Sequence, residues 1–210
     1  MGTVVKKHKD KAVRKSEIIA AAEKIFFKSG IHQASMDAVA SEADVSKGTL
    51  YLYFKNKNAL YRAILRRAFE TLEKYVTEAI SDFSGNGKEK IKEAGKAYIK
   101  FSKEHPGYFD AILHYENDTV SLDDMEAESL KSMIAGNQVL EVLANVVKAG
   151  MDDGSIGTHK NPIKLAIILW GSTTGMLQML NAKSKLLEHY YNLSEEEMLE
   201  DYFEVILKKL

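Results

Sequence analysis

The chain of 210 residues has no cysteine. Disulfides and thiolate metal sites are therefore excluded, and a reducing cytoplasm fits. Only two prolines interrupt it, and no stretch alternates apolar and polar residues as a half-buried strand would. The N-terminus, MGTVVKKHKDKAVRK, is charged throughout and lacks the apolar core of a secretory signal. Its six histidines (8, 32, 105, 114, 159 and 189) show no metal spacing, and no glycine-rich phosphate loop is present. His114 and Glu116 lie two apart and so share no helix face. These absences argue against an enzyme, and no cofactor or metal is expected. The longest uncharged run, LAIILWGSTTGMLQMLNA (165–182), is broken by Ser, Thr, Gln, Asn and two glycines. It is expected to be a buried helix of a soluble protein, not a membrane span.

What is present is helical periodicity from end to end. Ile18, Ala22, Ile25 and Phe26 share one face of a helix over 14–29, with Gly30 beyond its end. Ser35 caps a short helix containing Val39 and Ala40, Asp44 and Val45 turn the chain, and Ser46 caps a second short helix to about Tyr53. Asn56 caps a longer helix from 57 to about 83, and SGNG (84–87) breaks it. Further helices are expected over 88–105, from Pro106, over about 125–151 with Gly136 as a possible interruption, and over 163–187 and 195–209. Loops fall near 117–123 and over 152–162. The expected fold is all-α with about nine helices: a basic lead (1–13), a three-helix head (14–60) and a helical body (61–210).

Charge divides along the same line. Residues 1–67 hold fourteen Lys/Arg against six Asp/Glu, whereas 68–210 hold fifteen against twenty-four, so a net charge of −1 conceals a basic head on an acidic body. That distribution suits a polyanion-binding module joined to a separate domain. The short helix, turn, short helix of 35–54 is the pattern of a helix-turn-helix, whose second helix enters the major groove. On SKGTLYLYF, Leu50 and Phe54 lie four apart and form the inward face, leaving Lys47, Thr49 and Tyr51 outward or lateral. Gly48 lets the backbone approach the groove. The hydroxyls of Ser46, Thr49 and Tyr53 can donate to phosphate, and Lys57 can hold one.

The fifty residues SEIIAAAEKIFFKSGIHQASMDAVASEADVSKGTLYLYFKNKNALYRAIL resemble the DNA-binding domain of the TetR family of transcriptional repressors. The likeness lies in F-F-x-x-x-G, the serine before the second helix, V-A at its centre, V-S-K-G-T-L-Y and Y-F-K-N-K-x-x-L-Y. It implies that Lys47, Gly48, Thr49 and Tyr51 touch bases or the groove floor, and that Ser35, Tyr53 and Lys57 hold phosphates. Three residues depart from the family pattern. Asp44 stands for a glycine in the turn, Leu52 occupies a position commonly polar or larger (which weakens a contact assignment there), and Ala59 lacks a capping acid.

The resemblance further implies a homodimer on a palindromic double-stranded operator, released by a small-molecule effector bound in the body. Candidate lining residues are Tyr108, His114, Tyr115, Trp170, Thr174, Gln178 and Met179. The dimer is expected through 163–187 and 195–209, with Ala166, Gly171 and Gly175 allowing close approach and Leu169, Leu180, Phe203 and Ile206 supplying apolar area. The lysine-rich lead has two readings, an arm along the DNA backbone or minor groove and a solvated tail. An architectural DNA binder without a ligand is the rival to a regulator.

Overall fold

The computed structural model describes residues 2–116, 126–157, 161–208 and 210, with the side chains of 2–10 and 116 excepted. The expected loop near 117–123, part of the one at 152–162, and any contact by lysine side chains of 6–10 lie outside the described residues. Among the described residues there are nine helices and no strand. They are α1 (Gly2–Gln33), α2 (Met36–Glu42), α3 (Lys47–Tyr53), α4 (Lys57–Ser81), α5 (Gly87–Glu104), α6 (Pro106–Glu116), α7 (Ala127–Asp152), α8 (Pro162–Tyr191) and α9 (Glu195–Lys208). The first helix begins at Gly2, so the lysine-rich lead continues α1 instead of preceding it. Gly30, at φ 75° and ψ 159°, is non-helical and divides α1 into two helical segments at the expected helix end. Gly136 does not interrupt α7.

The chain divides into two compact units, Met1–Phe69 with Gly107–Ala135, and Glu70–Pro106 with Gly136–Leu210. In the first, Ile18, Ala22 and Phe26 of α1 pack with Val39, Ala40, Leu50, Phe54, Leu60 and Ile64. Each buried aliphatic or aromatic side chain contributes about 1.5–3 kcal/mol relative to exposure, which holds the short helices α2 and α3 that would not be stable alone. Polar groups tie the unit as well. Tyr108 Oη and Arg67 both donate to Glu23 (2.8 and 3.2 Å), and Arg67 also donates to Ser16. Burial and then the Glu23 bond push the Tyr108 phenol well above its ordinary value.

In the second unit, Ile91, Val147, Ile156 and Leu165 anchor one cluster. Asn86 and Glu89 close α5 with a reciprocal capping box, and Ser194 and Glu197 do the same for α9. The start of α5 meets α7 so closely that a Cβ on Gly87 would stand 2.2 Å from the Gly150 backbone.

Candidate DNA interface and effector cavity

The head's geometry follows from its caps. Ser35 Oγ accepts the Ala38 amide at 3.1 Å and starts α2; Ser46 Oγ accepts the Thr49 amide at 3.0 Å and starts α3. Between them Asp44 sits at φ 50°, a left-handed conformation that aspartate tolerates where most residues would be strained. Asn56 Oδ1 accepts the Ala59 amide at 2.7 Å and starts α4, so the missing acid at 59 leaves that cap intact. Leu50 and Phe54 are fully buried and fix α3 by one side.

The opposite side of α3 is open. Lys47, Gly48, Tyr51 and Leu52 are exposed, with Thr49 and Tyr53 at its flanks. Lys47 Nζ lies 2.7 Å from Asp37 of α2, and that carboxylate raises the lysine above its usual pKa. A surface pair of this kind contributes little to stability, and its effect is to hold Lys47 along the outer face of the helix. Thr49 Oγ1 is 2.8 Å from Ser46 Oγ. Lys57 Nζ donates to the His32 carbonyl at 2.9 Å, which ties the start of α4 to the end of α1 and leaves the ammonium two further protons. Tyr53 is half-buried against the head's core. Of the eight expected DNA-facing residues, Ser35 and Ser46 are caps, Lys47, Gly48 and Tyr51 lie on the exposed side of α3, Thr49 and Tyr53 on its flanks, and Lys57 starts α4.

In the second unit an apolar cavity of about 40 Å3 is lined by residues that include Tyr98, Leu143, Trp170, Tyr202 and Phe203. Tyr98 stacks on Trp170 with ring centroids 4.9 Å apart and shares a hydrogen bond of 3.1 Å with Thr174. The Phe203 ring lies over Gly95, where a Cβ would come within 2.5 Å of it. Tyr202 Oη bridges Ser172 and Thr173 at 2.9 and 2.8 Å.

The candidate lining residues do not gather at one place. Trp170 lines this cavity and Thr174 is buried beside it. Gln178 and Met179 are exposed, because the phase of α8 turns Leu177 and Leu180 inward instead. Tyr108, His114 and Tyr115 belong to the first unit. There His114 lines a separate cavity of about 270 Å3 with His32, Tyr61 and Asp110, Tyr108 is engaged with Glu23, and Tyr115 packs edge-on to Phe69. Tyr98, Tyr202 and Phe203 carried no ligand assignment from sequence. The available signal was Gly95 facing an aromatic, visible only once α5 and α9 are brought together. Among the described residues no three His, Asp or Glu side chains cluster as metal ligands.

The residues expected to supply the dimer face of α8 and α9 need correction. Ala166, Leus 169 and 180, and Phe203 are buried inside their own unit. The outward face of α8 carries Ile163, Ile167, Ile168, Gly171, Gly175 and Met179 instead, and Val205 is exposed on α9. By length and composition alone α8 could cross a membrane, yet its Leu165–Leu180 side is core to this unit.

A helix-turn-helix with a buried anchor and an open polar face defines the head as a DNA-binding module. Residues 18–64 match the family described as "Bacterial regulatory proteins, tetR family", and 91–205 match "Tetracyclin repressor-like, C-terminal domain". The chain belongs to the tetR family of bacterial regulatory proteins. It is 33% identical over 116 residues to the HTH-type transcriptional activator FasR of Mycolicibacterium smegmatis, covering 55% of this chain and 51% of that protein. The chain thus spans about half the length of that curated relative. The crystal structure of FadR from Bacillus subtilis in complex with stearoyl-CoA superposes with a TM-score of 0.72 at 17% identity, over 93% of this chain and 98% of that one. AibR in complex with isovaleryl coenzyme A and operator DNA gives 0.67 at 16%, over 91% and 97%. At these identities the structural likeness establishes the fold.

Proposed function

We propose that the protein is a homodimeric repressor that holds a palindromic operator through residues 14–60 and lets it go when an acyl thioester enters its body, residues 61–210. The observation that carries this reading is the open face of α3 on a head with an excess of basic residues. Lys47, Gly48, Thr49 and Tyr51 contact bases, while Ser35, Ser46, Tyr53 and Lys57 take phosphates. To do so Lys47 exchanges Asp37, and Lys57 swings from the His32 carbonyl. Two copies join through the exposed face of α8 with α9, where Gly171 and Gly175 leave room for close helix approach. The two recognition helices then sit about one duplex turn apart, roughly 34–36 Å. The site of action is the cytoplasm, without a membrane.

The effector class rests on the apolar lining of the cavity around Trp170 and on the acyl-CoA complexes of FadR and AibR. Of the sequence candidates, Trp170 and Thr174 stay in this assignment, and Tyr98 and Phe203 join them. One water needs roughly 10–15 Å3, so a cavity of about 40 Å3 admits an acyl chain only when rings such as Phe203 give way. Binding is thereby coupled to the position of α9.

Fluorescence anisotropy on a duplex from the protein's own promoter tests the reading. Stearoyl-CoA is expected to release wild-type protein. Tyr51→Ala relaxes base preference, whereas Lys57→Ala weakens all sequences alike and lowers the salt slope by about one. Equal affinity for promoter and unrelated duplexes would instead support an architectural binder. The name of FasR favours a second reading, activation, and a promoter reporter in a deletion strain separates the two: expression rises for a repressor and falls for an activator.

A further inference from the structure

Leu52 is 82% exposed, the most exposed large apolar side chain among the described residues, and it stands on the recognition helix. Nothing in the head requires it there. The helix is already anchored from the other side by Leu50 and Phe54. Gly48, one turn earlier, is equally unexplained from within: a Cβ there would meet only Ser46 Oγ, at an ordinary 3.8 Å. Its helical backbone needs no glycine, and glycine weakens a helix relative to alanine.

Residues four apart on a helix are neighbours, and side chains lean toward the N-terminus. The Leu52 isobutyl group therefore lies over the turn of Gly48, forming an apolar notch floored by a bare Cα. Lys47 and Tyr51 run alongside as the polar stripe. The notch lies on the second helix of a helix-turn-helix, the element that enters the major groove, in a head where residues 1–67 carry fourteen basic against six acidic side chains. Duplex DNA matches the charge, and its major groove presents one apolar group on the base edges, the thymine 5-methyl.

We propose that Leu52, seated over Gly48, contacts a thymine 5-methyl group in each half-site and sets a preference for thymine over cytosine there. The assignment rests on the DNA-binding reading above. It gives a role to a leucine whose presence weakened a contact assignment at this position: the side chain cannot hydrogen-bond, and a methyl group does not ask it to.

The test uses full-length protein and a duplex selected by that protein from a random pool, with each thymine replaced singly by deoxyuridine, which removes only the methyl group. Wild-type affinity is expected to fall about fourfold at one thymine per half-site, the effect of one apolar carbon. Leu52→Ala, which deletes only exposed atoms, should bind thymine and deoxyuridine duplexes equally at that position, and Leu52→Met should restore the difference. Thymine sensitivities identical in wild type and Leu52→Ala, or absent from both, would overturn the assignment. A pool with no enriched sequence would overturn the reading of a sequence-specific operator, and this assignment with it.

Discussion

Gly48 and Gly87 both sit in the first turn of a helix, for opposite reasons. A side chain on Gly87 would collide with the Gly150 backbone at 2.2 Å, whereas one on Gly48 would find open space. In the second unit the chain's own packing dictates the glycine. In the head no neighbour in the chain dictates it. The same contrast separates Gly95, covered by the Phe203 ring, from Gly171 and Gly175, which face nothing within 4 Å. Gly30 and Gly154 are also uncrowded, but their positive φ accounts for them; Gly48, Gly171 and Gly175 have room for a side chain and no such φ, and they fall on the recognition helix and on α8.

The largest expected effect breaks the inner half of that comparison. Gly87→Ala forces a methyl group against the Gly150 backbone, where no rotamer change relieves the clash, and should lower stability by about 3 kcal/mol, the upper range for overpacking. Urea denaturation checks it. A midpoint unchanged from wild type would show that the two helices separate easily and that the close approach is incidental.

Next comes acid, which acts on the same junction. Asp153 accepts from Ser155 and from the Gly87 amide at 2.7 Å, and these bonds hold its carboxyl below the usual 3.8. Glu197 is likewise lowered by its bonds from Ser194. A depressed folded-state pKa means that each carboxylate stabilises above its unfolded value and that the contribution is lost as pH falls through the folded one. Thermal midpoints should therefore be flat near neutrality and drop below about pH 4, and Asp153→Asn should flatten part of that drop.

Much of the head was legible in sequence because its signals are short-range. Ser35, Ser46 and Asn56 announce their helices within three residues, Leu50 and Phe54 declare the inward face by spacing, and Asp44 fits the left-handed turn it occupies. The second unit was legible only in plan. Its α8 is apolar on all sides, so periodicity does not say which side is core, and Leu169 and Leu180 were assigned to the wrong face. The cavity draws on five helices, α4, α5, α7, α8 and α9, so Tyr98 and Phe203 become neighbours of Trp170 only through tertiary packing. Leu52 was given no contact because it departs from the polar or larger residues common at its position, and its 82% exposure is visible only in the folded head.

The smallest expected change in stability gives the most direct test of the central claim, that the outward face of α3 is shaped for DNA. Gly48→Ala fills open space with a better helix former and should stabilise the head by a few tenths to about 1 kcal/mol. The added methyl occupies the groove-facing notch, so affinity for the selected duplex should fall about tenfold, the size of one lost base contact. Melting and anisotropy on the same preparation provide the measurement. Opposite signs, higher stability with weaker binding, are the predicted result; a variant that is more stable and binds its duplex as tightly as wild type would contradict the account.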